Sequence, residues 1–241
     1  HKIILMMDLG DIREGYVDEE ELIAAAVETE KLSHVDLYGI GTNLTCFSFI
    51  QADEEKMERL AEMRRKVENA AGHTLEIVSG GNSAALDLMM RGGICEGVDN
   101  FRLGESLLFG KERSRYTFLP GTRNDGFILE CEVVEAKVKP SLPWGTAGMD
   151  SYGRKPVFTD RGEKRKKVIC AIGRQDFDAE TATPVDEGIL ILGASSDHLM
   201  LDVTDSVKEY KVGDIVELRL GYFSVLRAFT SPYVEKIFLK K

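Results

Sequence analysis

The sequence has few cysteines and few histidines, four of each in 241 residues. No two cysteines form a CxxC pair and the histidines are not clustered, so the ligand spacing of a zinc site is missing and we expect no metal site. Disulfides follow oxidising compartments, and we interpret these widely spaced residues as reduced thiols of a cytoplasmic protein. The cysteines are Cys46, Cys95, Cys131 and Cys170.

The sequence also lacks a long apolar run and an excess of positive charge. No run approaches the roughly 20 apolar residues that a membrane-spanning helix needs. The formal net charge of −10 opposes a broad surface that would neutralise nucleic-acid phosphates. We therefore expect a small-molecule ligand rather than a nucleic acid or a membrane.

The first 110 residues alternate short apolar runs with segments of helical periodicity, which is typical of βα units around a parallel sheet. The chain opens at His1 directly into an apolar run, as expected of a sequence that starts inside a fold. Four units are predicted. Their strands cover residues 2–7, 35–40, 75–78 and a segment ending at 102, and their helices cover 18–32, 53–71, 83–91 and a segment starting near 105.

After Gly110 the pattern changes to β-branched stretches separated by turns, which is typical of an antiparallel β domain. The predicted strands are 127–138, 167–172, 188–192, 199–203 and 215–220. We place the domains at residues 1–118 and 119–241. Four βα units cannot close an eight-stranded barrel, which needs roughly 250 residues. The predicted fold class is therefore α/β, either an open sheet or a portion of a (β/α)8 TIM-type barrel, followed by a mostly antiparallel β domain.

Glycines and small polar residues follow each predicted parallel strand, at the edge where such folds bind ligands. Residues 80–83 (GGNS) and 102–105 (RLGE) both lead into a predicted helix. Free backbone N–H groups and the helix dipole at such a junction favour a phosphate. The alternative is that the glycines only permit tight turns. Two adjacent junctions with an arginine between them strengthen the case for the phosphate site and leave both interpretations open.

Ordered motifs along the chain resemble the alanine racemase family. Residues 8–15 (DLGDIREG) resemble its Asp-Thr-Gly-x-x-Arg-x-Gly motif, residues 80–83 its Asn-Ser turn, and residues 101–104 (FRLG) its Val-Arg-x-Gly segment. Residues 193–203 and 212–214 are similar to two stretches of its second domain. The residues of these motifs most resemble the ornithine racemase branch of that family.

The resemblance implies a fold-type III enzyme that uses pyridoxal phosphate to interconvert L and D amino acids by removing and returning the Cα proton. Ornithine or alanine is the implied substrate and a head-to-tail homodimer is the implied assembly. Residues 1–118 then correspond to the C-terminal half of the cofactor-binding barrel. The implied cofactor-binding residues are Asn43, Asn82, Ser83, Arg102, Gly104, Glu105 and Tyr233.

Within that set the resemblance assigns individual roles. Ser83 and the backbone at Gly104 and Glu105 hold the cofactor phosphate, with Asn82 in support. Arg102 faces the pyridine nitrogen. An arginine there keeps this nitrogen unprotonated, which makes the ring a poorer electron sink.

The resemblance also implies roles for residues beside the cofactor ring and the substrate. Asn43 stands where the family usually has a histidine beside the ring. Arg13 lies near the cofactor oxygen and the substrate carboxylate, and Asp197 meets the substrate.

Racemisation needs an acid/base group on each face of the reacting carbon. The family's tyrosine motif corresponds to residues 172–176, where no tyrosine stands. Tyr152, Asp176 and His198 remain alternatives for the missing tyrosine. The candidate catalytic residues are Arg13, Asp176 and Asp197.

The family's Schiff-base lysine precedes every matched motif, and no lysine of this chain follows a strand in a comparable motif. We therefore expect an N-terminal segment to be absent and this chain alone to be inactive. A noncatalytic pyridoxal-phosphate carrier and a truncated scaffold are the alternative functions.

Overall fold

The computed structural model describes residues 1–150 and 153–239. Its internal contacts divide the chain into two units, His1–Arg123 and Asn124–Lys241. The domain boundary that we placed after residue 118 stays a prediction.

The first unit is a four-stranded parallel sheet with helices between its strands. The strand order is β1-β2-β3-β4, so each strand pairs with the next one along the chain. The strands are β1 (Lys2–Met6), β2 (Asp36–Gly41), β3 (Ile77–Asn82) and β4 (Asn100–Arg102). The helices are α1 (Glu19–Thr29), α2 (Glu54–Ala71), α3 (Leu86–Met90) and α4 (Glu105–Phe109).

The two longest helices of this unit begin at aspartates that cap them. The Asp18 side chain accepts hydrogen bonds from the backbone N–H groups of Glu20 and Glu21, and Asp53 accepts one from Lys56. One face of α2 is buried in the core that also takes residues from β1 to β3. The buried side chains of α2 are Met57, Leu60, Met63 and Val67. This packing fixes the sheet whose strand ends carry the candidate site.

The second unit is a six-stranded antiparallel sheet with one helix. Its strand order is β7-β10-β5-β6-β9-β8. Alternate residues of β5 are buried, which gives the sheet one apolar face. The elements are β5 (Ile128–Lys139), β6 (Arg165–Cys170), β7 (Ala182–Pro184), β8 (Leu190–Ala194), β9 (Leu199–Asp202), β10 (Ile215–Leu220) and α5 (Tyr222–Thr230).

The predicted fold class, an α/β portion followed by an antiparallel β domain, is confirmed. Two local predictions were wrong, and two elements were missed. β3 continues to Asn82, so its glycines lie in the strand, and the predicted helix over 83–91 begins as a 3-10 turn at Ser83–Ala85 before α3. β7 and α5 were missed, because β7 has three residues and the α5 sequence is rich in aromatic residues that favour strands. Within the described residues, no helix combines the length and apolarity needed to cross a membrane.

A buried ion pair joins β6 to the end of β9. The Asp202 carboxylate accepts hydrogen bonds from Arg165 Nε at 2.8 Å, from Thr204 N at 3.0 Å and from Thr204 Oγ1 at 2.7 Å. Burial alone would raise the pKa of Asp202, and these hydrogen bonds outweigh it, so the pKa lies below its ordinary value. The ionised carboxylate therefore stabilises the folded state.

We expect Asp202→Asn to lower the free energy of unfolding at pH 7 by about 1–3 kcal/mol, because buried donors lose a charged acceptor. A carboxyl with a depressed folded pKa stabilises above its unfolded pKa of about 3.9, and this stabilisation is lost as the pH falls through the folded pKa. Urea unfolding should therefore show a smaller deficit at pH 3 than at pH 7. Asp205→Asn, which removes the exposed partner of Arg165, is the control and should cost under about 1 kcal/mol. An equal Asp202→Asn deficit at both pH values would contradict the account.

Candidate functional site

The loop after β1 is folded back on itself by an aspartate. The Asp8 carboxylate accepts hydrogen bonds from the N–H groups of Gly10, Ile12 and Arg13 at 2.8, 3.1 and 3.2 Å. Gly15 closes the loop with a φ of +114°, and a side chain there would meet the Met6 carbonyl. Arg13 is thereby held at the carboxyl end of β1.

A second aspartate ties this loop to the one after β2. Asp11 is 1% exposed. Its carboxylate accepts hydrogen bonds from the N–H groups of Cys46, Phe47 and Ser48 at 2.9–3.1 Å. Three amide donors on one buried carboxylate fix the two loops relative to each other. The strand ends therefore form a preorganised surface.

The junctions after β3 and β4 lie side by side, as the sequence predicted. The buried Ser83 Oγ accepts hydrogen bonds from Gly104 N at 3.3 Å and Ser106 N at 3.2 Å, and it lies 3.0 Å from Ser106 Oγ. A Cβ added at Gly104 would meet no atom within 4 Å, so the space beside this turn is open. Backbone N–H groups and hydroxyls converging on one point are the donors that a phosphate oxygen accepts from.

Arg102 lies across the carboxyl ends of the strands. Its Nη2 donates to the Thr42 carbonyl oxygen at 2.8 Å, and its Nη1 donates to Ser79 Oγ. The residue remains accessible to solvent, and desolvation by the surrounding protein lowers the Arg102 pKa from its ordinary value. Arginine titrates so far above neutral pH that the guanidinium stays charged. A fixed, partly desolvated cation at this edge is suited to an acceptor atom of a ligand.

Asparagines and unpaired polar atoms line the region between β2 and β3. Asn82 Nδ2 donates to Asn43 Oδ1 and the Leu44 carbonyl oxygen, both at 2.8 Å, and lies 3.3 Å from Cys46 Sγ. Within residues 1–123, all of which the structure describes, two buried side-chain atoms have no hydrogen-bond partner, Thr42 Oγ1 and Asn43 Nδ2. Buried polar atoms are normally paired, so these two atoms fit a site that takes a polar ligand.

An ion pair lies near Arg102 on the loop after β1. Arg13 donates to both carboxylate oxygens of Glu14, with Nη2 2.7 Å from Oε1. The hydrogen bond with Glu14 raises the pKa of Arg13. Arg13 follows β1, and Arg102 binds the carbonyl oxygen of Thr42 directly after the neighbouring strand β2, so both guanidinium groups stand at the carboxyl ends of adjacent strands.

The first unit thus brings together most of the predicted site residues. Helix α4 begins at Glu105. The Glu105 carboxylate forms an ion pair with Arg113 at 3.3 Å. The predicted residues gathered at this edge are Arg13, Asn43, Asn82, Ser83, Arg102, Gly104 and Glu105. Their roles toward a cofactor stay predictions.

The other predicted residues belong to the second unit. Asp176 is buried, and its carboxylate accepts a hydrogen bond from Ser231 Oγ at 2.7 Å, which in turn accepts one from Tyr233 N at 3.1 Å. Tyr233 itself is 77% exposed. The Asp176 carboxylate is therefore engaged in the structure of its own unit, and Tyr152 lies outside the described residues.

Asp197 stands on an exposed turn of the same unit. Hydrogen bonds from His198, Ser196 and Ser195 lower the pKa of Asp197, with His198 Nδ1 3.0 Å away. Both Asp197 and His198 are accessible, unlike Asp176. The sequence analysis missed the contacts that Asp11 and Thr42 make. Asp11 binds the backbone of a loop 35 residues away, and Thr42 accepts a hydrogen bond from Arg102, and nothing in the local sequence indicates either contact.

Fold and site together define an α/β unit whose strand edge carries hydrogen-bond donors and an arginine, followed by an antiparallel β domain. Residues 1–112 match the family described as "Alanine racemase, N-terminal domain". The chain is 45% identical over 236 residues to an ornithine racemase of Acetoanaerobium sticklandii, covering 98% of this chain and 67% of the relative. It is 43% identical over 237 residues to a lysine racemase of Thermotoga maritima, covering 98% of this chain and 65% of that protein. The chain belongs to the alanine racemase family, and it spans about two thirds of the length of these relatives.

Solved structures share the fold at lower sequence identity. A D-threonine aldolase from Filomicrobium marinum aligns with a TM-score of 0.61 and 11% identity, over 94% of this chain and 56% of that one. An alanine racemase from Clostridium difficile 630 aligns with a TM-score of 0.55 and 20% identity, over 92% of this chain and 56% of that one. These likenesses establish the architecture of the chain.

Proposed function

We propose that the protein is a pyridoxal-phosphate-dependent racemase of a basic or small amino acid, with ornithine ahead of alanine. The names of the two relatives, an ornithine and a lysine racemase, support the substrate class. The observation that carries the proposal is the donor set around Ser83 Oγ, beside the fixed guanidinium of Arg102. At one edge of the sheet, these groups provide donors for a phosphate and a separate donor for a ring nitrogen.

The residues present fit the cofactor. Ser83, with the backbone at Gly104 and Glu105, would hold the phosphate, and the open space beside Gly104 leaves room for it. Arg102 can donate a hydrogen bond and cannot accept one, so a ring nitrogen facing it stays unprotonated. Asn43 brings a buried, unpaired Nδ2 to the same region. When bound, pyridoxal phosphate supplies the electron sink that makes the Cα proton of an amino acid removable.

The chain's own residues would bind the substrate and handle its proton. We assign Arg13 to the substrate carboxylate, because it lies on a loop that Asp8 holds in place after β1, at the same strand edge as Arg102. Asp197 is exposed and charged, so we keep it as the acidic group that meets the substrate. Asp176 is bonded to Ser231 inside the second unit, so we assign it to positioning the segment that carries Tyr233.

The test is racemisation by the full-length protein in D2O with added pyridoxal phosphate. L-Ornithine should yield D-ornithine carrying deuterium at Cα, because the proton returned to the carbon comes from solvent. Chiral chromatography with mass spectrometry measures both. Cofactor binding without racemisation would favour the carrier instead, and neither binding nor racemisation would favour a scaffold.

We also propose that the protein is a cytoplasmic head-to-tail homodimer. Support for assembly comes from exposed apolar side chains on α5, namely Phe223 and Leu226. Support for a reducing compartment comes from the cysteines, which are unpaired in the structure. Light scattering should give twice the subunit mass, and a monomeric mass at micromolar concentration would contradict the dimer.

A further inference from the structure

Glu14 differs from the other carboxylates on the loop after β1. Asp8 and Asp11 each accept three backbone hydrogen bonds, so both are committed to holding the loops. Within the described first unit, the hydrogen-bonding partner of the Glu14 carboxylate is the side chain of Arg13. A side-chain partner can be exchanged without unfolding the loop, whereas the amide partners of the two aspartates cannot.

Charge makes this carboxylate important for a substrate that carries an extra ammonium group. Arg13 follows β1, and Arg102 binds the Thr42 carbonyl oxygen after the adjacent strand β2, so two positive charges stand at this edge. A second ammonium on the substrate would be repelled there unless a carboxylate were close to it. Glu14 is the carboxylate that forms an ion pair with Arg13, and its negative charge also opposes the lowering of the Arg102 pKa.

We propose that Glu14 is the specificity-determining residue of this site and binds the distal ammonium of a diamino acid. In the free protein Arg13 pairs with Glu14. In the complex Arg13 pairs with the substrate carboxylate, and Glu14, released from Arg13, pairs with the side-chain ammonium. This inference rests on the proposed function, because it names the substrate class of the same site.

The exchange explains preference for a diamino acid over a neutral one. With a diamino acid, one ion pair in the free protein is replaced by two in the complex. With a neutral amino acid, Arg13 leaves Glu14 and the carboxylate loses its partner. Specificity arises from the unpaired Glu14 carboxylate in the complex with a neutral amino acid as much as from the new ion pair with a diamino acid. A site binds poorly any ligand that leaves one of its polar groups without a partner.

The first readout compares L-ornithine with L-norleucine, which has a methyl group in place of the distal ammonium, on the full-length holoprotein. We expect Glu14→Gln to lower kcat/KM for ornithine roughly 10- to 100-fold, mainly through KM, because a charged hydrogen bond is lost. Norleucine turnover should change less than about threefold or improve. The matched control is Glu20→Gln, on the exposed first turn of α1, which should leave both substrates unchanged.

The second readout measures binding without turnover. Cys46 is exposed and its Sγ lies 3.3 Å from Asn82 Nδ2, so alkylation of Cys46 by iodoacetamide reports on occupancy of the site. Ornithine should slow this alkylation in the wild-type protein, and Glu14→Gln should require about tenfold more ornithine for the same protection. Peptide mass spectrometry separates Cys46 from Cys131 and Cys170, which are buried.

The two readouts separate the inference from the proposed function. Equal losses for ornithine and norleucine in Glu14→Gln, or unchanged protection by ornithine, would overturn the role of Glu14 while leaving the racemase intact. If the wild-type protein racemises neither substrate, the proposed function fails. Protection by ornithine that depends on Glu14 would still support the ammonium site in that case.

Discussion

Ser83→Ala is expected to weaken pyridoxal-phosphate binding roughly 10- to 100-fold. The hydroxyl offers one hydrogen bond to a charged phosphate, and such a bond contributes about 1.5–3 kcal/mol where the ordinary figure is about 1 kcal/mol. Each 1.4 kcal/mol corresponds to about a factor of ten in affinity. In the free protein the same oxygen accepts from Gly104 N and Ser106 N, so it stands where these amides already converge. Equilibrium titration with the cofactor, followed by absorbance, measures the effect.

A structural role for Ser83 has a different signature. If the hydroxyl only tied β3 to β4, the variant would lose thermal stability without cofactor and retain the cofactor affinity of its folded fraction. We expect the reverse, a modest change in Tm and a large change in Kd. Ser206→Ala, at a half-buried turn of the second unit, is the matched control and should keep the wild-type Kd within about threefold. A wild-type Kd in Ser83→Ala would contradict the phosphate assignment.

Arg102→Ala should reduce racemisation roughly 100- to 1,000-fold, in the range observed when one preorganised donor is removed from an active site. The guanidinium is fixed by the Thr42 carbonyl oxygen and Ser79 Oγ. Under the proposed assignment, an alanine would leave the ring nitrogen without its donor, and the orientation of the ring would be lost with it. Steady-state kinetics on ornithine, at cofactor concentrations that saturate each variant, measure the loss as kcat.

Substitution of Arg102 should therefore lower mainly kcat, whereas substitution of Ser83 should raise mainly the Kd for the cofactor. Arg102→Ala should change cofactor affinity less than Ser83→Ala does, because the Arg102 guanidinium binds Thr42 and Ser79 and is not one of the donors around Ser83 Oγ. Arg102→Lys keeps the charge without the planar fork of donors, so we expect it to recover only part of the rate. Full activity in Arg102→Lys would mean that charge alone matters, and full activity in Arg102→Ala would remove the arginine from the mechanism.

Much of the first unit could be predicted because its signals are local. Capping aspartates at residues 18 and 53 and the apolar period between them define α1 and α2. Gly80, Gly81 and Asn82 at the end of β3 and Gly104 after β4 mark the junctions, and parallel strands place successive junctions at one edge. The four strands lie in the sheet in the same order as in the chain, so strands that are consecutive in sequence are neighbours.

The rest depends on contacts between segments far apart in sequence. Asp11 binds amides more than 30 positions away, and Arg102 reaches a carbonyl 60 positions away. No periodicity encodes such pairs. The 3-10 turn at Ser83 is local instead, since the Asn82 side chain caps Ala84 N in a tighter turn than the helical pattern indicates.

The position of the cofactor phosphorus in a crystal structure of the full-length protein grown with pyridoxal phosphate tests the central claim most directly. We predict phosphate oxygens within hydrogen-bonding distance of Ser83 Oγ and Gly104 N, with the ring nitrogen facing Arg102. A phosphate bound elsewhere, with Ser83 Oγ still occupied only by Gly104 N and Ser106 N, would contradict the account.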